Sequence, residues 1–384
     1  VISTADVVVI GGGAVGASAA FHLADAGAGS VLLLEREPAL GSGSTGRCAG
    51  GFRHQFSSRV NCLLSIESIR MITTFAEEHG LPLDVDQDGY LFLVRTPKTW
   101  EDFLLSVELQ RSLGIEVEVL TPDEAAAVIP GISLQGVVGA TFGPKDGIAD
   151  PSGLTNGYAT LARRAGAEIR TGVEVLGVER TGEGRIRGVR TAGGSVAAPV
   201  VVNAAGPWAG LVAATAGVRL PLQPIPRQVV VTGPFPGSPE RRTLVIDADS
   251  TFYFHREGAG VLMGIGGREE RASFDTAVDD RLVAEQLLPA AVRVFPPLEA
   301  AGVARQWCGL YEMTPDRHPI LGEVPGVPGL YLANGFSGHG FQHAPVVGKL
   351  LAEMIVHGEG RTVDVSSLGL DRFSRDLVAE THVV

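Results

Sequence analysis

Glycines and one acid near the start of the chain carry the first chemical signal. Gly11-Gly12-Gly13-Ala14-Val15-Gly16 has the order G-x-G-x-x-G, and Glu35 follows 19 residues after Gly16. Gly11 permits a tight turn, Gly13 lets backbone approach a pyrophosphate at a helix N-terminus, and Gly16 lets helix pack on strand. Ala14 and Val15 open that helix. Glu35, with Arg36 beside it, stands where a ribose hydroxyl needs an acceptor, which favours FAD or NAD over NADP.

A second run, GSGSTGRCAGGFRHQF from Gly41 to Phe56, combines small residues with two arginines. Backbone amides and hydroxyls at that density suit close approach to a cofactor, so Ser42, Ser44, Thr45, Arg47, Cys48, Ala49, Gly50 and Gly51 are candidates to line it. An NAD enzyme would continue instead with further β-α units, and the interruption favours FAD. Two late glycine motifs agree. One follows an apolar strand, at Ala204 and Gly206. The other, Gly338-His339-Gly340, precedes the last helix, whose positive end can face the flavin ring.

These groups need elements to hold them. Val7–Ile10 is apolar without alternation, as a central parallel strand should be, and an Ala-rich helix to about residue 26 and a strand at 30–34 complete a βαβ unit. Apolar spacing predicts one helix over 59–79, ended by Gly80. Thr121-Pro122-Asp123-Glu124 starts a short helix as a capping box, and an amphipathic helix over 151–165 stops at Gly166. Strands near 168–170, 173–179, 188–191 and 196–204 read as the first sheet resuming. Further strands at 227–232, 251–256, 261–264 and 304–311, a helix over 278–294, a strand at 330–333 and a helix to about 357 follow. The expected fold is α/β with two domains: a Rossmann-like FAD-binding domain from 1–85, 145–220 and 320–384, and a largely antiparallel substrate domain from 86–144 and 221–319.

Composition narrows the function. Of 384 residues 51 are Gly, 45% are hydrophobic and 19% are charged, which allows a large core and excludes disorder. A net charge of −12 without any basic block argues against nucleic acid. The longest apolar runs are of strand length, so no membrane span is expected, and a strand starting at Val7 leaves no room for a leader within this sequence. Cys48, Cys62 and Cys308 lack C-x-x-C spacing and read as reduced thiols in a cytoplasm, with no metal site.

On GGGAVG, LLLERE and GSGSTGRCAGGFRHQF together, the chain resembles the FAD-dependent amine oxidoreductases of the D-amino acid oxidase superfamily. These include the β-subunits of sarcosine oxidase and L-proline dehydrogenase, with monomeric sarcosine oxidase and glycine oxidase as relatives. The stretches Asp88–Phe92, Asp146–Pro151, Val202–Trp208, Thr314–Asp316 and Asn334–Phe341 follow in family order. The resemblance implies bound FAD and a carboxylate anchor at Arg53. It also implies a pocket tyrosine at Tyr311 and cofactor contacts from Val173, Ala204, Gly206, Trp208, Gly309, Gly338, His339, Gly340, Phe341 and Gln342.

Departures from the pattern carry information. Gln342 replaces a carboxylate-binding lysine. Gly309 replaces the cysteine that links flavin covalently, and Cys308 lies one residue earlier, on the opposite face of a strand; non-covalent FAD is therefore expected. Leu262 replaces the lysine that activates oxygen, leaving His339 or Arg53 to support oxygen reduction, or another electron acceptor. Tyr253 and His255 alternate with Phe252 and Phe254, so one pair faces the pocket, and the expectation is Tyr253 and His255. Met263 and Phe341 could supply an apolar wall. The expected activity is oxidation of the C–N bond of a glycine-like or N-substituted amino acid, such as sarcosine or an N-alkyl or N-carboxymethyl glycine. It would proceed by hydride transfer to flavin, imine hydrolysis and reoxidation by oxygen to hydrogen peroxide. The alternatives are a β-subunit-type dehydrogenase, for example of proline, that passes electrons to a partner, and a non-enzymatic flavin-binding module.

Overall fold

The computed structural model describes residues 3–266 and 271–382. Val7–Ile10 is buried at all four positions because it is central to a six-stranded sheet. It pairs in parallel with Val31–Leu34 on one side and Val200–Asn203 on the other. Glu168–Arg170 and Leu330–Asn334 extend the sheet in parallel, and Ile320–Glu323 closes one edge antiparallel.

Helices Ala14–Asp25, Arg59–Thr73, Pro151–Arg164 and Gly340–His357 pack together over one face of this sheet. The opposite face is covered by a separate three-stranded antiparallel sheet, Val175–Arg180, Ile186–Thr191 and Gly194–Ala197, with helix Ala209–Thr215. The expectation of one resuming sheet is thus corrected: only 168–170 and 200–203 rejoin it. The strands between are linked by short turns, and short turns make antiparallel pairs, whereas a parallel neighbour needs a crossover of a dozen or more residues.

The predicted 59–79 helix breaks at Thr74 into Arg59–Thr73 and Phe75–His79. Thr73 and Thr74 both turn their hydroxyls back onto the Arg70 carbonyl, which competes with the helical ladder. The 278–294 helix contains a π-turn over Val283–Leu287. Pro289 explains it, since its ring clashes with the carbonyl four residues earlier, at Glu285. Helix Pro97–Ser112, capped by Thr96, was not anticipated.

The second large sheet has eight strands. Their order is Val303–Met313, Gln223–Thr232, Gly260–Ile265, Phe252–Glu257, Leu244–Asp247, Tyr90–Val94, Gly139–Gly143 and Glu118–Leu120. Every pairing is antiparallel except Leu244–Asp247 with Tyr90–Val94. Phe252, Phe254 and Met263 face the helix-covered core on one side, and Tyr90, Tyr253 and Leu262 lie on the other. Gly51–Phe52, Gly147–Ala149 and Val85–Asp86 form a small sheet that anchors the segment carrying Arg53. The architecture is the two-domain α/β fold expected. Among the described residues no helix is long and apolar enough to cross a membrane.

Candidate active site

A cavity of about 470 Å³ runs from the first glycine loop to the open face of the eight-stranded sheet. At one end Gly11 adopts φ +104°, and a Cβ there would lie 2.4 Å from the Ala204 carbonyl oxygen, so no other residue fits. Glu35 braces the turn: Oε2 accepts from Gly12 N at 2.6 Å and Oε1 from Glu37 N at 2.8 Å. Thr45 Oγ1 accepts from Ala14 N at 3.1 Å. Arg36 lies 3.8 Å over the Trp208 ring, and Val173 and Gly206 line the cavity beside them.

Two long helices begin at this cavity. Ala14–Asp25 starts after Gly13, which has no side chain to offer, and Gly340–His357 starts after His339, whose ring makes no cap bond. Gly13, Ala14, Val15, Gly338, Gly340 and Phe341 all line the space. Two open helix N-termini and a backbone cradle without side chains fit an extended anionic dinucleotide. Gly16 lies behind the lining, where a Cβ would come within 1.9 Å of the Gly11 carbonyl oxygen, in keeping with a packing role. Ser42 is a correction: it is exposed, lies outside the lining, and donates to Ala39 O at 2.7 Å, completing its own turn.

The segment 44–51 is pinned against Val303–Met313. Ser44 Oγ donates to Leu310 O at 2.6 Å, Arg47 Nη1 to Cys308 O at 2.7 Å, and Trp307 Nε1 to Arg47 O at 2.9 Å. Arg47, Cys48, Ala49, Gly50, Gly51 and Gly309 border the cavity, whereas Cys308 is fully buried and does not. Burial pushes the Cys48 thiol up to about 11, so it is a neutral thiol near pH 7. His255 is a second correction. It shares the face of Tyr253 but stands outside the lining, with Nδ1 2.7 Å from Arg256 O and Nε2 3.2 Å from Ala49 O. It supports the 44–51 segment from beneath the cavity wall.

At the other end Arg53 is only 4% exposed, so a surface ion pair is excluded. Its guanidinium lies 4.0 Å over Phe56, and it donates from Nη1 to Gln55 O and from Nη2 to His382 O. Asp146 holds the neighbouring backbone, accepting from His54 N at 2.8 Å and Gln55 Nε2 at 3.1 Å. Gln342 bonds the Arg53 backbone in both directions. His339 packs edge-on against Phe56, with neither ring nitrogen hydrogen-bonded among the described residues. Burial, then Arg53 and His343, hold it well below its ordinary value, so it is neutral. Met263 faces the opposite core and forms no cavity wall; Phe341 does.

Three cavity residues carry no individual role in the sequence reading. Arg227 is 7% exposed, with its guanidinium 5.1 Å from the Tyr311 ring centre. Its signal was available only through register, because it pairs across the strands with Gly309. Tyr90 and Glu312 also line the space. Tyr311 lies between the fields of Arg227 and Arg53, both of which oppose the rise that burial gives its hydroxyl.

A glycine-lined cleft that fits a dinucleotide, joined to a sheet-walled chamber, is the arrangement expected of a flavin-dependent oxidoreductase. The chain belongs to that family: the model described as FAD dependent oxidoreductase matches residues 6–354, and FAD is the family's cofactor. It is 33% identical over 395 residues to mitochondrial sarcosine dehydrogenase of Mus musculus, a match covering 99% of this chain and 42% of the mouse protein. The chain therefore spans less than half the length of that relative. Among solved structures it is similar to L-proline dehydrogenase from P. horikoshii, with 32% identity, TM-score 0.91 and coverage of 98% of this chain and 100% of that one. Glycine oxidase from Geobacillus kaustophilus gives 28% identity, TM-score 0.85 and coverage of 96% and 99%.

Proposed function

We propose that this chain oxidises the C–N bond of an N-substituted or glycine-like amino acid, such as sarcosine, another N-alkyl or N-carboxymethyl glycine, or proline. The observation that carries this reading is the buried Arg53, which borders the cavity beside Phe56, Phe341 and Tyr311. A guanidinium has five N–H donors. Two are taken by carbonyls, and among the described residues the other three have no partner. They suit a carboxylate.

When bound, FAD supplies the hydride acceptor for the C–H next to nitrogen. The protein's part is placement. Arg53, with Arg227 also lining the cavity, holds the acid group, and the rings of Tyr90, Tyr253 and Tyr311 exclude water from the reacting carbon. The burial and the Arg53 charge that keep His339 neutral also disfavour a charged amine, so the substrate nitrogen keeps its lone pair for the departing hydride. The resulting imine is hydrolysed in water. The names of the relatives, a sarcosine dehydrogenase, a proline dehydrogenase and a glycine oxidase, support the same substrate class.

For the electrons, Leu262 favours an acceptor other than oxygen over direct formation of hydrogen peroxide. It is a buried apolar residue packed with Tyr253, where an oxygen-activating lysine was the family expectation. We also propose that 1–85, 145–220 and 320–384 serve the dinucleotide and 86–144 with 221–319 the substrate. The three free cysteines suit the reducing conditions of a cytoplasm.

Anaerobic mixing with N-substituted glycines and proline, followed by air, tests both parts. Bleaching of the flavin by one of these acids is expected, and slow recovery in air identifies a dehydrogenase. No bleaching by any of them, or a titration unchanged in Arg53→Ala, would overturn the substrate reading.

A further inference from the structure

Residues 380–382 come from the far end of the sequence and meet Arg53, which lines the cavity. Glu380 is fully buried, and its carboxylate is saturated with donors. It accepts from Ser57 N at 2.8 Å, Ser57 Oγ, Ser58 N at 3.2 Å, Ser58 Oγ at 2.7 Å, Asn61 Nδ2 at 3.1 Å and His382 N at 3.1 Å. Those donors surround the start of helix Arg59–Thr73, whose N-cap residue Ser58 makes no cap bond with its own side chain. An acid more than 300 residues away instead binds the two backbone N–H groups just before the helix, with its negative charge at the positive helix end. Two residues on, the His382 ring stacks on Phe103 with centroids 4.0 Å apart and planes at 18°. Its carbonyl then accepts from Arg53 Nη2.

This arrangement solves a problem of buried charge. A guanidinium out of water needs a counter-charge, yet a carboxylate bonded directly to it would occupy the fork that a substrate acid must enter. Among the described residues no carboxylate lies within ion-pair distance of Arg53. Burial works against the charged guanidinium, and Glu380 and Asp146 are both close enough to favour it, while the oxygens of Glu380 are committed to serine, asparagine and backbone donors. The two carbonyls that do touch Arg53 fix the plane of the fork without cancelling its charge.

We propose that Glu380 is a positioning residue for Arg53: by locking 380–382 onto the helix start, it sets the His382 carbonyl that aims the guanidinium at the substrate carboxylate. The proposal rests on the reading of Arg53 as the substrate anchor. A simple structural cap would affect all ligands alike. A positioning device affects only those with a carboxylate.

The test compares acids with their primary amides on the holoenzyme. N-methylglycine and L-proline, and N-methylglycinamide and L-prolinamide, are titrated anaerobically against flavin absorbance, with half-saturation and limiting rate read separately. In Glu380→Ala the half-saturation for the acid should rise about tenfold, the effect of misplacing one hydrogen bond to a charged group, with flavin content kept and the amide within about twofold. If Glu380→Ala does not fold, Ser58→Ala, which removes one donor and keeps the acid, should give the same selectivity with a shift of about threefold. Acid and amide moving together, or neither moving, overturns the positioning role. Arg53→Ala separates the two claims: no loss of acid binding there sinks the substrate reading, whereas loss there with none in Glu380→Ala sinks this proposal alone.

Discussion

Arg53 and Gln342 exchange two hydrogen bonds across the sequence: Arg53 N donates to Gln342 Oε1 at 3.0 Å, and Gln342 Nε2 donates to Arg53 O at 3.2 Å. The side-chain amide does what a neighbouring strand would do. It ties the segment bearing Arg53 to the first turn of helix Gly340–His357, and it also donates to Ser65 Oγ at 3.1 Å. The position where relatives suggested a direct carboxylate ligand therefore acts on the backbone of one.

Gln342→Ala leaves a buried N–H and a buried carbonyl unpaired. A loss of about 1–3 kcal/mol in unfolding free energy is expected, with weaker substrate half-saturation because Arg53 shifts. Urea unfolding and anaerobic titration measure the two effects, and an unchanged urea midpoint would show that the pair contributes nothing.

Gly51→Ala should damage the chamber more than Tyr90→Phe does. A Cβ at Gly51 would fall 1.7 Å from the Tyr90 hydroxyl oxygen, so the ring must move away, whereas removing the hydroxyl leaves the ring in place. Misplacement of about 1 Å near the reacting groups corresponds to a rate loss on the order of a hundredfold. Stopped-flow flavin reduction compares the variants, and equal rates would place Tyr90 outside the reacting region.

Glu312 gives the protein a pH-dependent stability. Its Oε1 accepts from Phe336 N at 3.4 Å, Oε2 is buried without a partner among the described residues, and burial pushes the carboxyl from 4.5 up to about 7. Between those values the folded chain holds a proton that the unfolded chain has released. Stability therefore falls as pH rises through this window. Glu312→Gln should flatten the melting temperature between pH 5 and pH 8, with its largest stabilising effect at the upper end. Parallel profiles for the two proteins would remove Glu312 as the cause.

Acid denaturation should release all flavin into the supernatant. Gly309 borders the cavity, and Cys308, one position earlier, turns its sulfur to within 3.4 Å of the Gly309 carbonyl oxygen. Cys308→Ser should release flavin identically. Colour retained in the pellet by the parent chain, and lost in Cys308→Ser, would establish a covalent link.

Much of the half built around the first glycine loop is legible locally. Gly11, Gly13 and Glu35 act within one βαβ unit, where strand, turn and helix follow directly from residue order. Alternation also placed Tyr253 on the face opposite Phe252 and Phe254. The same alternation misplaced His255, because a period of two encodes a face and not the distance along the strand at which the cavity ends. Arg227 was missed for a related reason: its partner across the sheet, Gly309, is known only once strand register is known. The zone between 173 and 197 read as one sheet because apolar runs do not carry their partners' names.

Residue order alone therefore set the glycine cradle, the strand faces and the absence of a cysteine at Gly309. Packing decided which buried groups meet: Gln342 with the Arg53 backbone, Glu380 with Ser57 and Ser58, and the His382 carbonyl with the Arg53 guanidinium. Spacing along a chain specifies one face of one element. Contacts across 289 or more residues depend on how two sheets and a helix layer come together, which no local period records.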